Sequence, residues 1–440
     1  MRKFVIILSA LLATACSSSD GDSTAECSIE GQKQFVLDAM RDWYFWNDRL
    51  PAQVDLSQFA TPEDLLEFLK TFSPTGSDGL PVDTSFSFIT TAAADDARFS
   101  QGEFEGYGIV LRYIATERIQ LAKVFANGPA GAAGFGRGQE ILSLNGRTIA
   151  EIDAAEGVTT LLGTSPVTFR MRRLDGSEFE VSLARGTVTI DPVPQWRIID
   201  AGGGRNIGYL ELASFILPAE PAMETVFAAF NDAGVNDVII DLRYNGGGLL
   251  STSNLLGDYF GGEVAENLIF SRTLFNANRS AANDSIEFFD RLLNSLSLSR
   301  LVAITASGTA SASELVINGM EPHVETVLVG SNTFGKPVGQ VGLEFCGNLL
   351  RAVAFETVNA DDVGGYFDGL PADCAADDDL SIPVGAASDP NLVAAEAYLA
   401  TGACPVAASP QAQAARIGGS DDLPQVDRRG SPAREFLRAF

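Results

Sequence analysis

Residues 304–340, ITASGTASASELVINGMEPHVETVLVGSNTFGKPVGQ, restrict what this chain can fold into more than any other stretch. They continue an apolar strand, 301–304, and break into a turn of small residues. A helical pattern begins near Ala312, and a second apolar strand returns at 326–329. The run Thr309-Ala310-Ser311-Ala312-Ser313 sets hydroxyls at the first helical turn. Free N–H groups and the positive end of the helix dipole favour a developing negative charge there. Small neighbours leave room for a substrate backbone.

Lys336 follows 25 residues after Ser311, flanked by Phe334, Gly335, Pro337 and Val338. Such surroundings desolvate an ammonium and lower its pKa, as a general base requires. Gln340 shares a face with Lys336 if the segment is extended, which places it to orient the amine. The usual partner of a nucleophilic serine is histidine, and this chain has one, His323. On a regular helix starting near Ser311 it lies about three turns away, roughly 15–18 Å by the rise per residue. Lysine is the other common partner, and the scarcity of histidine favours it. Ser307 precedes the turn and Ser313 points elsewhere on the helix, so both are weaker nucleophile candidates. Glu314 fits a cap or structural partner better than an acid.

Upstream, a buried strand at 237–242 (DVIIDL) runs into Arg243-Tyr244-Asn245-Gly246-Gly247-Gly248 and then a helix, 249–260. Glycines between a strand end and a helix start expose backbone N–H groups, an arrangement that binds anions. The Lys-Ser/Thr pair of a phosphate loop is missing. TASASE, TFGKPVGQ and DLRYNGGG together resemble the C-terminal processing (tail-specific) protease family in order and spacing. The resemblance implies that Ser311 is the nucleophile, Lys336 the general base and Gln340 the residue that orients the lysine. It also implies an oxyanion hole from Ala312 and either Gly246 or Gly247. The implied fold is α/β, with a ClpP/crotonase-like protease core at 187–405, an inserted β-rich PDZ domain at 101–186 and a helical N-terminal region at 27–100. Neither a metal nor an organic cofactor is implied.

The PDZ expectation has its own residues. Short strands alternate with glycine turns: 109–113, 120–125, the turn NGPAGAAGFGRG, then GQEILSLNG, a helix near 152–162, and strands 167–172 and 178–183. The stretch GPAGAAGFGRGQEILSLNGR resembles a PDZ domain most closely. In that fold Gly106, Tyr107, Gly108 and Ile109 correspond to the loop that takes a peptide's terminal carboxylate, beside an edge strand that pairs with the peptide. Gly134, Gly136 and Gly138 have the wrong spacing for a dinucleotide site.

At the N-terminus, Arg2 and Lys3 precede an apolar run, 4–12, and then Ala13-Thr14-Ala15-Cys16. The run is too short to span a bilayer and reads as a signal peptide, 1–15. Its end resembles a bacterial lipobox. That implies lipidation at Cys16, a membrane anchor, a tether over 16–26 and, with Ser17 next, an outer-membrane lipoprotein on the periplasmic side. Cys27, Cys346, Cys374 and Cys404 then suggest two disulfides. Of the three pairings we expect Cys346–Cys374, which bracket an acidic loop, and Cys27–Cys404, which bracket the folded body. A formal net charge of −27 argues against nucleic-acid binding and against electrostatic docking on anionic membranes.

Elsewhere the pattern predicts helices at 32–50 (ended by Pro51), 61–72 (capped by Thr61, with Pro62 first), 221–233, 283–296 and 392–399. Strands are expected at 85–90, 206–215 and 349–357, and the loop 359–379 beside the site. That loop misses the EF-hand ligand pattern. The tail 406–440 reads as flexible, and its apolar end REFLRAF invites a return into the peptide groove. The expected function is an exported serine endopeptidase with a Ser–Lys dyad, taking protein or peptide substrates at extended or C-terminal segments. Two other classes compete. One is a non-catalytic PDZ-type peptide-binding lipoprotein with a blocked site or an exposed, protonated Lys336. The other is a small-molecule esterase or amidase, which needs no PDZ-like domain.

Overall fold

Six strands form the central sheet of the protein, whose computed structural model describes residues 27–405. The expected signal peptide, Cys16 with its tether, and the tail from residue 406 lie outside the described residues. Across the sheet the order is Gln195–Asp200, Asn206–Glu211, Asp237–Asp241, Arg300–Thr305, Glu325–Gly330 and Cys374–Ala375. The first pair is antiparallel and the others are parallel. Parallel strands need both faces covered, and their apolar runs serve both. Leu210, Val238, Ile240, Leu301, Ala303 and Leu328 cluster with the helices Ala219–Asp232, Leu250–Gly261 and Ala312–Met320. The alternate residues Tyr209, Ile239, Val302, Ile304, Val327 and Val329 cluster with the helix Pro390–Thr401.

A second, antiparallel sheet contains Phe88–Thr91, Val338–Phe345, Asn348–Val358, Ile269–Phe275 and Ser285–Phe288. Two N-terminal helices, Ile29–Trp43 and Pro62–Lys70, bury their apolar stripes against it through Val36, Met40, Leu65, Leu69, Leu350 and Val353. The second helix starts as expected. Asp64 N–H donates to Thr61 Oγ1, Thr61 N–H donates back to Asp64 Oδ2, and Pro62 opens the helix. The first ends at Trp43, well before Pro51. Tyr44 leaves the helical conformation and is buried with Trp46 in the same core, so aromatic burial stops the helix. No helix spans 283–296. Ser280–Asn283 makes one turn, and Ser285–Phe288 pairs with Ile269–Phe275 as an edge strand. The polar–apolar alternation of Ser285, Ile286, Glu287 and Phe288 suits a strand better than a helix.

The β-rich unit is an antiparallel sheet of Ile109–Ala115, Arg118–Val124, Glu140–Leu144, Val167–Arg172 and Glu178–Leu183, with Arg147–Thr148 at its side. It has its own core, including Tyr107, Ile119, Leu144, Ile152 and Phe169. The helix expected over 152–162 is split into Ile149–Asp153 and Val158–Leu162, with Gly157 at φ +80° between them. A ribbon, Glu103–Gly106 paired with Gly186–Thr189, connects this unit to the remainder.

The expected disulfide pairing is corrected. Cys27 bonds Cys346, and Cys374 bonds Cys404. Position along the chain misled the expectation, because packing sets which cysteines meet. The hairpin turn at Cys346 is carried to the first helix, where Phe35 stacks on Phe345 at 4.8 Å and Asn348 Nδ2 donates to Gln32 Oε1. Cys374 ends the central sheet under the helix Pro390–Thr401, and the chain leaving that helix brings Cys404 back to it. Non-reducing peptide mapping should recover these two pairs. Replacing Cys374 and Cys404 by serine should lower the unfolding free energy by about 3–4 kcal/mol in a denaturant titration, given the 30-residue separation.

Candidate active site

Asp237–Asp241 and Arg300–Thr305 end side by side, with Asp241 opposite Ile304. The turns that leave these carboxyl ends build the site, as is usual in open α/β sheets. Leu242 N–H donates to Ile304 O (2.9 Å), and Thr309 Oγ1 donates to Leu242 O (2.8 Å) while accepting from Ala306 N–H (3.0 Å). Asn245 completes the stitching. Its carbonyl accepts from Ala310 N–H (3.2 Å) and Ser313 Oγ (3.0 Å), and its Nδ2 donates to Leu212 O (2.9 Å). Ser313 is therefore held as a structural group.

Ser311 has φ +57° and ψ −118°, a conformation that costs a residue with a side chain about 1–3 kcal/mol. The helix Ala312–Met320 starts immediately after it. Gly247 (φ +100°) lies against this turn. A Cβ there would come within 2.8 Å of Ala310 O and Ser311 Cβ, and 2.9 Å of Ala312 N. Only glycine permits that approach. Gly247 N–H donates to Asn245 Oδ1 (2.9 Å). Among the described residues, neither Gly246 N–H nor Ala312 N–H has an acceptor. This is the local chemistry of an anion site.

Lys336 is 5% exposed. Its Nζ donates to Gln340 Oε1 (3.0 Å) and stands 5.4 Å from the centre of the Phe86 ring. Gln340 Nε2 in turn donates to Phe86 O, which leaves the amide oxygen turned toward the lysine. The two side chains meet as expected, although a bulge between Gly339 and Gln340 interrupts the strand. Burial pushes the Lys336 pKa down to about 8, against the pull of the Asp83 and Glu314 carboxylates and with some help from Arg351. A lysine in that range is partly neutral near physiological pH and can accept a proton.

Glu314, fully buried, joins the two turns. Its Oε2 accepts from Ser311 N–H (2.8 Å) and Lys336 N–H (2.9 Å). Its Oε1 accepts from Thr333 Oγ1 (2.6 Å) and Gly335 N–H (2.7 Å). One carboxylate thus fixes the backbones of Ser311 and Lys336 relative to each other. Burial raises its pKa, and the four donors pull it back. The loop expected beside the site is there: Thr333 N–H donates to Leu370 O (3.0 Å), and a Cβ on Gly335 would strike Phe367 O.

The other candidates stay apart from this cluster. His323 Nε2 contacts Ile269 O at 2.8 Å, and its ring meets Phe289 edge-on. Gly106 ends the ribbon, and Tyr107 is buried against Phe169 with its hydroxyl donating to Thr164 O (2.7 Å). The carbonyls of Tyr107 and Gly108 accept from Ala130 and Phe125. Among the described residues, their own N–H groups have no acceptor. Ile109 opens the strand Ile109–Ala115, which pairs on one side only, with Arg118–Val124. The sequence did not disclose the roles of Asn245 and Phe86, which act through their carbonyls as well as their side chains. Nor did it disclose the buried cluster in which Arg243 bonds Asp241 (2.6 Å), Asp389 (2.5 Å) and Asp378 (3.1 Å), although an Arg at the end of an apolar strand was a visible signal.

The family model of peptidase family S41 matches residues 206–367, and that of the peptidase S41 N-terminal domain matches residues 31–88. A carboxyl-terminal-processing protease of Synechocystis sp. is 26% identical over 270 residues, 60% of this chain and 60% of the relative. The chloroplastic carboxyl-terminal-processing peptidase 3 of Arabidopsis thaliana is 26% identical over 250 residues, 54% of this chain and 46% of the relative. The chain thus spans about half to three-fifths of the length of these curated relatives. Among solved structures, a candidate S41 protease from Bacteroides fragilis has a TM-score of 0.63 at 23% identity, covering 83% of this chain and 97% of that one. The photosystem II D1 C-terminal processing protease has a TM-score of 0.52 at 19% identity, covering 80% and 93%. Likeness at that level establishes the α/β protease fold expected from the sequence.

Proposed function

Because the chain belongs to peptidase family S41, we propose that it is a serine endopeptidase that cleaves proteins or peptides through an acyl-enzyme. The observation that carries this reading is the buried Lys336, depressed to about 8 and tied through Glu314 to the strained turn that bears Ser311. In this mechanism neutral Lys336 takes the Ser311 proton as Oγ attacks the scissile carbonyl. Ala312 N–H and Gly246 N–H receive the oxyanion, because Gly247 N–H is already held by Asn245 Oδ1. Gln340 holds the lysine. The protonated lysine then gives its proton to the leaving amine, and water activated by the same group hydrolyses the ester. The loop at 106–109, where the Tyr107 and Gly108 N–H groups have no acceptor among the described residues, and the one-sided strand Ile109–Ala115 would capture an extended or C-terminal segment by strand addition. We assign export to the segment 1–15 and attachment to a lipid at Cys16. Among the described residues no helix is long and apolar enough to cross a membrane.

The test is a pH profile on an unfolded protein substrate. Activity needs Lys336 neutral, so kcat/KM should rise with pH through about 8 and level off above it. A rate that is flat between pH 6 and 9, or mass spectrometry that finds no acyl adduct on Ser311, would refute the dyad. The binding-only reading requires an exposed, protonated lysine or a blocked site, and the burial of Lys336 speaks against it. A small-molecule esterase would leave the β-rich unit unused.

A further inference from the structure

Asp83 comes from the N-terminal region and is 0% exposed. Its Oδ1 accepts from Phe86 N–H (3.1 Å) and Ser87 N–H (2.8 Å), and its Oδ2 accepts from Ser87 Oγ (2.6 Å). The three groups aimed at its two oxygens all donate, so both oxygens act here as acceptors. Burial raises its pKa, and the Lys70 ammonium with the Ser87 hydrogen bonds works against that rise. The turn it closes is pinned at both ends. Asp83 N–H donates to Ser73 Oγ (3.1 Å), and Val353 N–H, from the strand under the site, donates to Ser87 Oγ (3.0 Å). The residue presented by this turn is Phe86, whose carbonyl accepts the Gln340 amide and whose ring lies beside Lys336 Nζ.

The consequence concerns the orientation of Gln340. A primary amide can present either its oxygen or its NH2 group to the lysine. Only the oxygen can hold an amine through a hydrogen bond that the amine donates. The Phe86 carbonyl decides between the two, because it accepts and so must face the NH2 end. We propose that Asp83 is a positioning residue for the base: by closing the 83–87 turn it sets the Phe86 carbonyl, which fixes the Gln340 amide with its oxygen on Lys336. The N-terminal region is then part of the catalytic apparatus rather than a packing layer. This rests on the reading of Lys336 as general base. Asp83 also acts on Lys336 through its charge, as does Glu314 in the same direction and Arg351 in the opposite one.

The experiment is a double-mutant cycle with pH profiles, made in the full chain on unfolded casein. The variants are Asp83→Ala, Gln340→Ala, their combination, Asp83→Asn and Lys336→Ala, each checked for folding by circular dichroism. Asp83→Ala should lower kcat about 10–100-fold, the range for supporting contacts behind a reactive group, with KM little changed. In the Gln340→Ala background it should cost almost nothing more, because both changes release the same lysine. Asp83→Asn keeps an acceptor for the Phe86 and Ser87 amides and folds on that basis. It removes the negative charge that favours the ammonium, so Lys336 loses its proton more easily and the acid limb moves to lower pH. Losses that multiply in the double variant, or a kcat in folded Asp83→Asn as low as that of Asp83→Ala, overturn the proposal while leaving the base intact. A Lys336→Ala protein with wild-type turnover overturns the base assignment itself, and this proposal with it.

Discussion

Replacing Ser311 or Lys336 by alanine is expected to lower kcat/KM on an unfolded protein by about 10,000-fold, with an unchanged circular dichroism spectrum. Removing either member of a nucleophile–base pair costs nearly as much as removing both, because neither acts alone. The backbone that carries the site does not depend on their side chains. Glu314 holds Ser311 and Lys336 through their N–H groups, which alanine keeps. The two variants part company in stability. The fold lowers the Lys336 pKa to about 8, so the folded protein binds this proton less readily than the unfolded chain does. That difference opposes folding at pH 7 and fades as pH rises past the unfolded lysine value of about 10.4. Lys336→Met should therefore be inactive yet more stable than wild type at pH 7, by about 1–3 kcal/mol, with no gain near pH 11. Melting curves at the two pH values check this. A Lys336→Met protein that is inactive and less stable at pH 7 would mean that the lysine is held charged by its neighbours, and the base assignment would fall.

The second large effect is expected at Glu314. Glu314→Ala leaves Ser311 N–H, Gly335 N–H, Lys336 N–H and Thr333 Oγ1 without the carboxylate that accepts from them. An unsatisfied buried donor costs about 1–3 kcal/mol, and water entering the cavity recovers part of it, so a net loss of about 3–5 kcal/mol is expected. Activity should fall at least about 100-fold even where the protein remains folded, since a misplacement near 1 Å is enough for that. Glu314→Gln keeps one oxygen and should lie between wild type and alanine. Denaturant titration and single-turnover kinetics separate the two losses. Normal turnover in folded Glu314→Ala would show that the nucleophile and base turns hold their places without this carboxylate.

Several elements were legible in the sequence for local reasons. Thr61 and Pro62 announce the start of their helix, and the runs at 167–172 and 178–183 show their strands through alternation. Other expectations failed where a distant contact overrode a local signal. Tyr44 ends the first helix because its ring is drawn into a core shared with Leu350 and Val353. Residues 285–288 become a strand because Ile269–Phe275 offers an edge. The disulfide pairing was inaccessible for the same reason, since it follows from where a hairpin tip and a helix end are delivered.

At the site, residue types and short spacings already specify which groups could react and in what order they occur. Ser311 sits at a helix start, Lys336 among apolar and small residues, and Gln340 four positions on. Such information is local, carried by residue type and short spacing. What the tertiary structure alone decided is the state of those groups. Lys336 is depressed because it is buried, with the ring of Phe86 from the N-terminal region beside its amine, and its orientation depends on the carbonyl of that same residue. The Gly247 turn reaches Ser311 only because strands 237–241 and 300–305 pair in register. Desolvation and hydrogen-bond direction arise from atoms brought together across hundreds of residues, and no periodicity in the sequence encodes that meeting.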